Sequence, residues 1–185
     1  MRIGKLRRFL GRFLAAGALL AVPALVSASG PRVEQRGSIE QKVTHELNML
    51  PYYGVFDNLS FRVDGDKVTL FGQVAQPVLK YDAEYAVKHI EGVRQVDSQI
   101  EVLPLSSFDD QIRVRAYRAI YGYGPLNRYA LGTHPSIHIV VKNGHVTLAG
   151  VVANSMDRDM AYLRANGVPG VFSVTNELRV ENSQS

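Results

Sequence analysis

Two spacings of apolar residues alternate along the chain. Ile39, Val43 and Leu47 fall at i, i+4 and i+8, the stripe of a helix of about ten residues. Pro51 and Gly54 mark its end. Leu59, Phe61 and Val63 then alternate with polar partners, Asp64-Gly65 turns the chain, and Val68, Leu70, Gly72 and Val74 alternate again, which predicts a hairpin. Pro77 suits the first position of a second helix with the stripe Leu79, Ala83, Ala86, Val87 and Ile90. Gly92 is expected to end it, because glycine enters a left-handed cap at no steric cost. Val96, Ser98, Ile100 and Val102 complete the series as a third strand.

The same order follows once more. Ile112, Ala116, Ala119 and Ile120 form a helical stripe, and Ile137, Ile139 and Val141 a strand. Asn143-Gly144 is a two-residue hairpin signal, followed by Val146, Leu148, Gly150 and Val152. Asn154 or Ser155 caps the next helix, with Asp157 in its first turn. Gly170 is expected to end that helix before a last strand over 174–180. Sliding the chain on itself by 78 residues aligns 68–102 with 146–180 without a gap, with 11 identities, so the pattern is an internal repeat. V-T-L-F-G-Q-V-A at 68–75 and V-T-L-A-G-V-V-A at 146–153 are its clearest part. The first helices align at a shift of 73, which puts five extra residues of the second copy within 121–136.

The expected fold class is α+β: two tandem α-β-β-α-β modules, each a three-stranded mixed sheet with two helices on one face. They span 39–103 and 109–181, joined by a short link, with 29–38 as a flexible polar lead-in. A module of this size buries a thin core and gains from packing on its neighbour.

The first 28 residues change the charge picture. Arg2, Lys5, Arg7, Arg8 and Arg12 precede an apolar run from Phe13 to Leu25, and Val26-Ser27-Ala28 offers small residues for cleavage. Thirteen apolar residues are too few for a span, which needs about 20. The expectation is a cleaved signal peptide and a periplasmic protein. The formal charge of +4 therefore belongs to the leader: residues 29–185 hold 16 basic against 17 acidic side chains. The absence of cysteine excludes disulfides, thiolate metal sites, cysteine nucleophiles and a lipid-modified cysteine.

Tandem modules of this order behind such a leader resemble the BON-domain family of bacterial envelope proteins, the osmotically induced periplasmic type. The residues that carry the resemblance are V-T-L-F-G-Q-V at 68–74, V-T-L-A-G-V-V at 146–152, E-G-V-R-Q-V at 91–96 and P-G-V-F-S-V at 169–174, with Gly72, Gly92, Gly150 and Gly170 as its marks. The resemblance implies a non-enzymatic protein of the envelope, without cofactor, that associates with phospholipid or a membrane surface. Some two-domain members are outer-membrane lipoproteins. This chain lacks the cysteine they use, so no covalent lipid anchor is expected, and contact would fall to the folded surface.

Candidate chemistry is sparse. His134 and His138 are four apart, but Pro135 between them argues against a helical metal pair, and they read as loop and surface residues. Gly122-Tyr123-Gly124-Pro125 follows a helix and lacks the later glycine and lysine of a phosphate loop, so it reads as a helix exit. No nucleophile–base arrangement is evident, and no metal, cofactor, nucleic acid or small-molecule substrate is expected. The informative stretch is 111–156, which holds five basic residues and no acid, whereas 29–110 holds 8 basic against 13 acidic. With Ile112, Ala116, Ala119 and Ile120 facing the core, the opposite helix face carries Val114, Tyr117, Arg118 and Tyr121, where a polar face is the norm. The candidate surface is Arg113, Val114, Arg115, Tyr117, Arg118, Tyr121, Tyr123, Arg128 and Tyr129. Tyrosine and arginine suit headgroup depth and anionic lipid. They also suit a protein interface, within the chain or with an envelope protein. Both readings stay open on the sequence.

Overall fold

The computed structural model describes residues 31–132 and 134–181, with the backbone path alone for 31–38; the predicted leader lies outside them. The first module is α1 (Pro31–Asn48), β1 (Asn58–Asp64), β2 (Lys67–Val74), α2 (Pro77–Lys88) and β3 (Gln95–Val102). The second is α3 (Ser107–Tyr121), a short α4 (Gly124–Asn127), a 3-10 turn (Arg128–Ala130), β4 (Ile137–Lys142), β5 (His145–Val152), α5 (Ser155–Asn166) and β6 (Ser173–Val180). The α+β fold of two mixed-sheet modules is as the apolar pattern predicts.

Each sheet has its middle strand in the middle of the chain order, β1-β2-β3 and β4-β5-β6. The hairpin pairs are antiparallel, and the strands joined through α2 or α5 are parallel, since only a crossover helix returns the chain in the same direction. The repeat is kept to the residue: Val68 pairs with Val96, and Val146 with Val174. In the second hairpin Asn143 and Gly144 both take positive φ, 52° and 79°, as a type I′ turn demands. The first core gathers Ile39, Val43, Leu47, Leu70, Leu79 and Ile100 between helices and sheet; Ile112, Ile120, Ile139, Leu148 and Leu178 lie in the second.

Two details differ from the sequence reading. Residues 31–38, read as a flexible lead-in, are helical and belong to α1. Gly92 and Gly170 do not cap helices, which stop at Lys88 and Asn166. They sit in the return loops with φ of 96° and 94°, where the first helix of each module passes close. A Cβ on Gly92 would lie 3.3 Å from Ile39 Cδ1, and one on Gly170 3.4 Å from Phe108. The modules also touch directly. The loop after α1 crosses to the edge of the second sheet, where Ile139 N–H donates to the Val55 carbonyl at 2.7 Å and Val55 and Phe56 pack on the second core. Lys142 and Glu101 close the other side at 2.5 Å.

Candidate functional site

The face predicted to bind a surface is built on α3. Ser106 caps that helix, its Oγ accepting from Asp109 N–H at 3.1 Å. The Asp109 carboxylate is fully buried and accepts from the Asn143 and Gly144 amides at 2.8 Å each, tying the helix start to the β4–β5 hairpin tip. These bonds fix the rotation of α3, and with it which side chains reach solvent.

The nine predicted residues divide. Arg113 is buried, bonded to Asp110 at 2.5 Å and to the Val141 carbonyl at 2.8 Å, and so belongs to the module interior. Tyr121 is 3 % exposed, and its hydroxyl donates to the Ile137 carbonyl at 2.5 Å. Burial pushes that hydroxyl well above the usual phenol range. Helix periodicity alone placed Tyr121 outward; the chain beyond the helix end folds back over it, and Asn127 Nδ2 bonds the Tyr121 carbonyl at 3.1 Å. Tyr129 is buried as well. Its hydroxyl donates to Asp157 Oδ2 at 2.5 Å and accepts from Ala153 N–H at 2.9 Å, while Arg128 pairs with the same carboxylate oxygen. Tyr123 lies under the Arg164 guanidinium, 4.9 Å from its carbon. Tyr117 leans on Phe56 of the first module, ring centroids 6.4 Å apart, and on Tyr121 at 5.0 Å.

Val114, Arg115, Tyr117 and Arg118 are exposed on the helix, and Arg128 beyond it is exposed as well. Val114 is 44 % exposed. Arg115 bonds only the Pro169 carbonyl and Gln111, and Arg118 has no side-chain partner among the described residues. Three of the five cations in the acid-free stretch are thus compensated by acids just outside it: Arg113 by Asp110, Arg128 by Asp157, Lys142 by Glu101. The two arginines of the outer helix face are not. At the start of the same helix stand two residues the sequence reading passed over. Phe108, in the first turn of α3, and Phe172, in the loop before β6, are exposed and have ring centroids 5.9 Å apart. Phe172 is 69 % exposed and also meets His145 edge-on at 5.9 Å. Phe108 was legible as an apolar residue one turn before Ile112. Phe172 sits where the repeat has Arg94, a difference that an apolar signature does not register.

The histidine pair is also not at free surface. His134 Nε2 donates to the Asn48 carbonyl at 2.5 Å and His138 Nδ1 to the Gly54 carbonyl at 3.3 Å. Both rings lie 5.4 Å from the Tyr53 ring, so the pair lines the contact between modules. Burial holds His138 below its ordinary value, against the raising effect of the Gly54 and Asp57 backbone and the Asp57 carboxylate. Among the described residues no three His, Asp or Glu side chains converge as a metal site, and no helix is long and apolar enough to cross a membrane.

Comparison with curated protein sequences finds no match. Among solved structures the chain is similar to the C-terminal domain of CdsD, the structural protein of the type III secretion system of Chlamydia trachomatis. The TM-score is 0.32 and the identity 11 %, over 76 % of this chain and 96 % of that one. A second structure of CdsD gives 0.30 and 12 %, over 78 % and 94 %. The family model described as the BON domain matches residues 36–104 and again 126–182. BON domains are modules of envelope and membrane association and are generally non-enzymatic. With two matches over most of its length, this chain belongs to the BON-domain family.

Proposed function

We propose that this is a non-enzymatic two-module protein of the periplasm, exported by a cleaved signal peptide, that docks on anionic phospholipid through the outer face of α3. The observation that carries the reading is the pairing of two arginines lacking carboxylate partners, Arg115 and Arg118, with the exposed Phe108–Phe172 pair at one end of the same helix. Phenylalanine rings at headgroup depth would contribute apolar burial. Each cation near an anionic surface would add about 1 kcal/mol. Most of the predicted tyrosines act differently: they fasten α3 to the loop that follows it and to Phe56 of the first module. The test is binding to anionic vesicles of R115Q/R118Q and of F108S/F172S. Loss in both, with unchanged unfolding midpoints, supports the reading. Retention of full binding in both removes this face as the lipid surface.

The alternative, a protein-binding face, is favoured by one observation. The Tyr117 side of the helix is already engaged in an intramolecular aromatic contact with Phe56. The same outer residues would then meet an acidic, apolar protein surface.

A further inference from the structure

The first module carries a groove whose chemistry is the reverse of the α3 face. It lies between the last turns of α1 and the length of α2, holds about 710 Å³, and is floored by Met49, Leu50, Tyr85 and Ile90. Met49 and Tyr85 are exposed side by side with the buried Leu50 and Ile90 of the same groove. Glu46 and Asp82 line the same groove, one from each helix, and neither carboxylate has a side-chain partner among the described residues. The cation at the rim, Lys42, is taken by Glu91 at 3.3 Å. Tyr85 rests on His89, centroids 4.1 Å apart, which leaves one of its ring faces to the groove.

The occupant must therefore be apolar and cationic. The unpaired acids repel anionic lipid and nucleic acid alike. Among the described residues nothing within one chain supplies such an occupant: α1 and α2 pack on each other and on the first sheet, while α3 packs on β4, α5 and the short α4. The outer face of α3 has the required chemistry, with exposed Val114 flanked by Arg115 and Arg118 and no carboxylate to neutralise either arginine. The charge distribution agrees, since residues 29–110 carry five more acidic than basic side chains and 111–156 five more basic than acidic.

We infer that two copies of this chain associate head to tail, the outer face of α3 of one copy seated in the α1–α2 groove of the next. Val114 meets the apolar floor, and Arg115 and Arg118 meet Glu46 and Asp82. Such a contact is heterologous, so it extends into longer assemblies or closes into a ring rather than stopping at a symmetric pair. It goes beyond the lipid reading and does not depend on it, because it is measured with no lipid present.

The experiment is analytical ultracentrifugation of residues 29–185, which hold every residue of both cores. It uses about 100 µM protein at low and high salt, where surface charge pairs are weakly and strongly screened. Two charge-reversed variants are compared: E46K/D82K, which makes the groove basic, and R115E/R118E, which makes the helix face acidic. The expected result is a mass above monomer for the native chain at low salt, falling to monomer at high salt. Each variant alone stays monomeric, because its two surfaces now carry the same charge. Mixing them restores association through the basic groove of one and the acidic helix of the other. A native chain that is monomeric at low salt overturns the inference. So does a variant that associates alone, or a mixture that does not. Circular dichroism of each variant establishes that the fold is intact before the masses are read.

Discussion

Gly72 and Gly150 show why a repeat built of apolar residues still holds a glycine in mid-strand. They take φ of 120° and 119°, and a Cβ at these positions would lie 1.8 Å from the Asn58 carbonyl oxygen and 2.0 Å from that of Ser136. The edge of the sheet passes too near for any side chain, so Gly150→Ala is expected to cost at least about 3 kcal/mol, backbone strain and displacement together. Denaturant unfolding measures it, with Gly124→Ala as a control whose Cβ meets nothing within 4 Å. Asp157 makes a second point at this scale. The repeat puts Leu79, a core residue, at its equivalent position, and the second module has a buried carboxylate there instead. That carboxylate receives Tyr129, Arg128 and Asn154, and so anchors the longer connection after α3. Asp157→Leu restores the apolar residue of the first module but leaves the Tyr129 hydroxyl without an acceptor. We expect a loss of roughly 2 kcal/mol from the Tyr129 and Asn154 bonds, to which the solvent-exposed Arg128 pair adds nothing. Equilibrium unfolding of D157L reads that loss; a variant as stable as the native chain would mean the carboxylate holds nothing.

Helices and strands were legible because each buries one face, and the spacing of Ile112, Ala116 and Ile120 or of Ile137, Ile139 and Val141 writes that face into the chain. The outward face of α3 was only half legible. Periodicity assigns Val114, Arg118 and Tyr121 to one side, but burial at a helix end depends on where the following residues go, and the path of 122–130 has no apolar period to read. Nor does a run free of acids show that its cations are free, since Asp110, Asp157 and Glu101 reach in from beyond it. Tyr121→Phe removes one buried hydroxyl and leaves the Ile137 carbonyl unpaired, a loss of about 1 kcal/mol in unfolding free energy. Tyr121→Ser opens a cavity as well and is expected to cost several times more. If either substitution left stability unchanged while abolishing vesicle binding, the ring would be a surface residue after all.

Across the whole molecule, the two modules meet through a small contact in which titratable groups are packed. His138 faces Tyr53, His134 and Asp57, with Arg113 of α3 near enough to act on Asp57. Burial depresses His138 below 6.5, so the docked form refuses a proton that the freed form accepts. Docking is therefore complete above about 6.5 and weakens as the pH falls below it. Asp57 has the opposite sign at lower pH. Burial raises it above 3.8, despite amide bonds from Ala75 and Gly54, so on acidification the folded form is protonated first and gains stability. The protection of the Ile139 amide against hydrogen exchange, measured relative to its intrinsic rate at each pH, should fall between pH 7.5 and 5.5, because that amide bonds the Val55 carbonyl across the contact. His138→Gln, neutral at every pH, should flatten that response. An unchanged fall in protection in the variant would place the pH dependence elsewhere.

The central claim at this scale is that a nearly neutral protein engages an anionic bilayer through one cationic, apolar helix face. Flotation of residues 29–185 with vesicles, anionic against zwitterionic, at low and high salt, tests it most directly. The account predicts flotation with anionic vesicles alone, weakened by salt as expected of surface charges, and lost in R115E/R118E. No flotation with either vesicle, or equal flotation with both and in the variant, would contradict it.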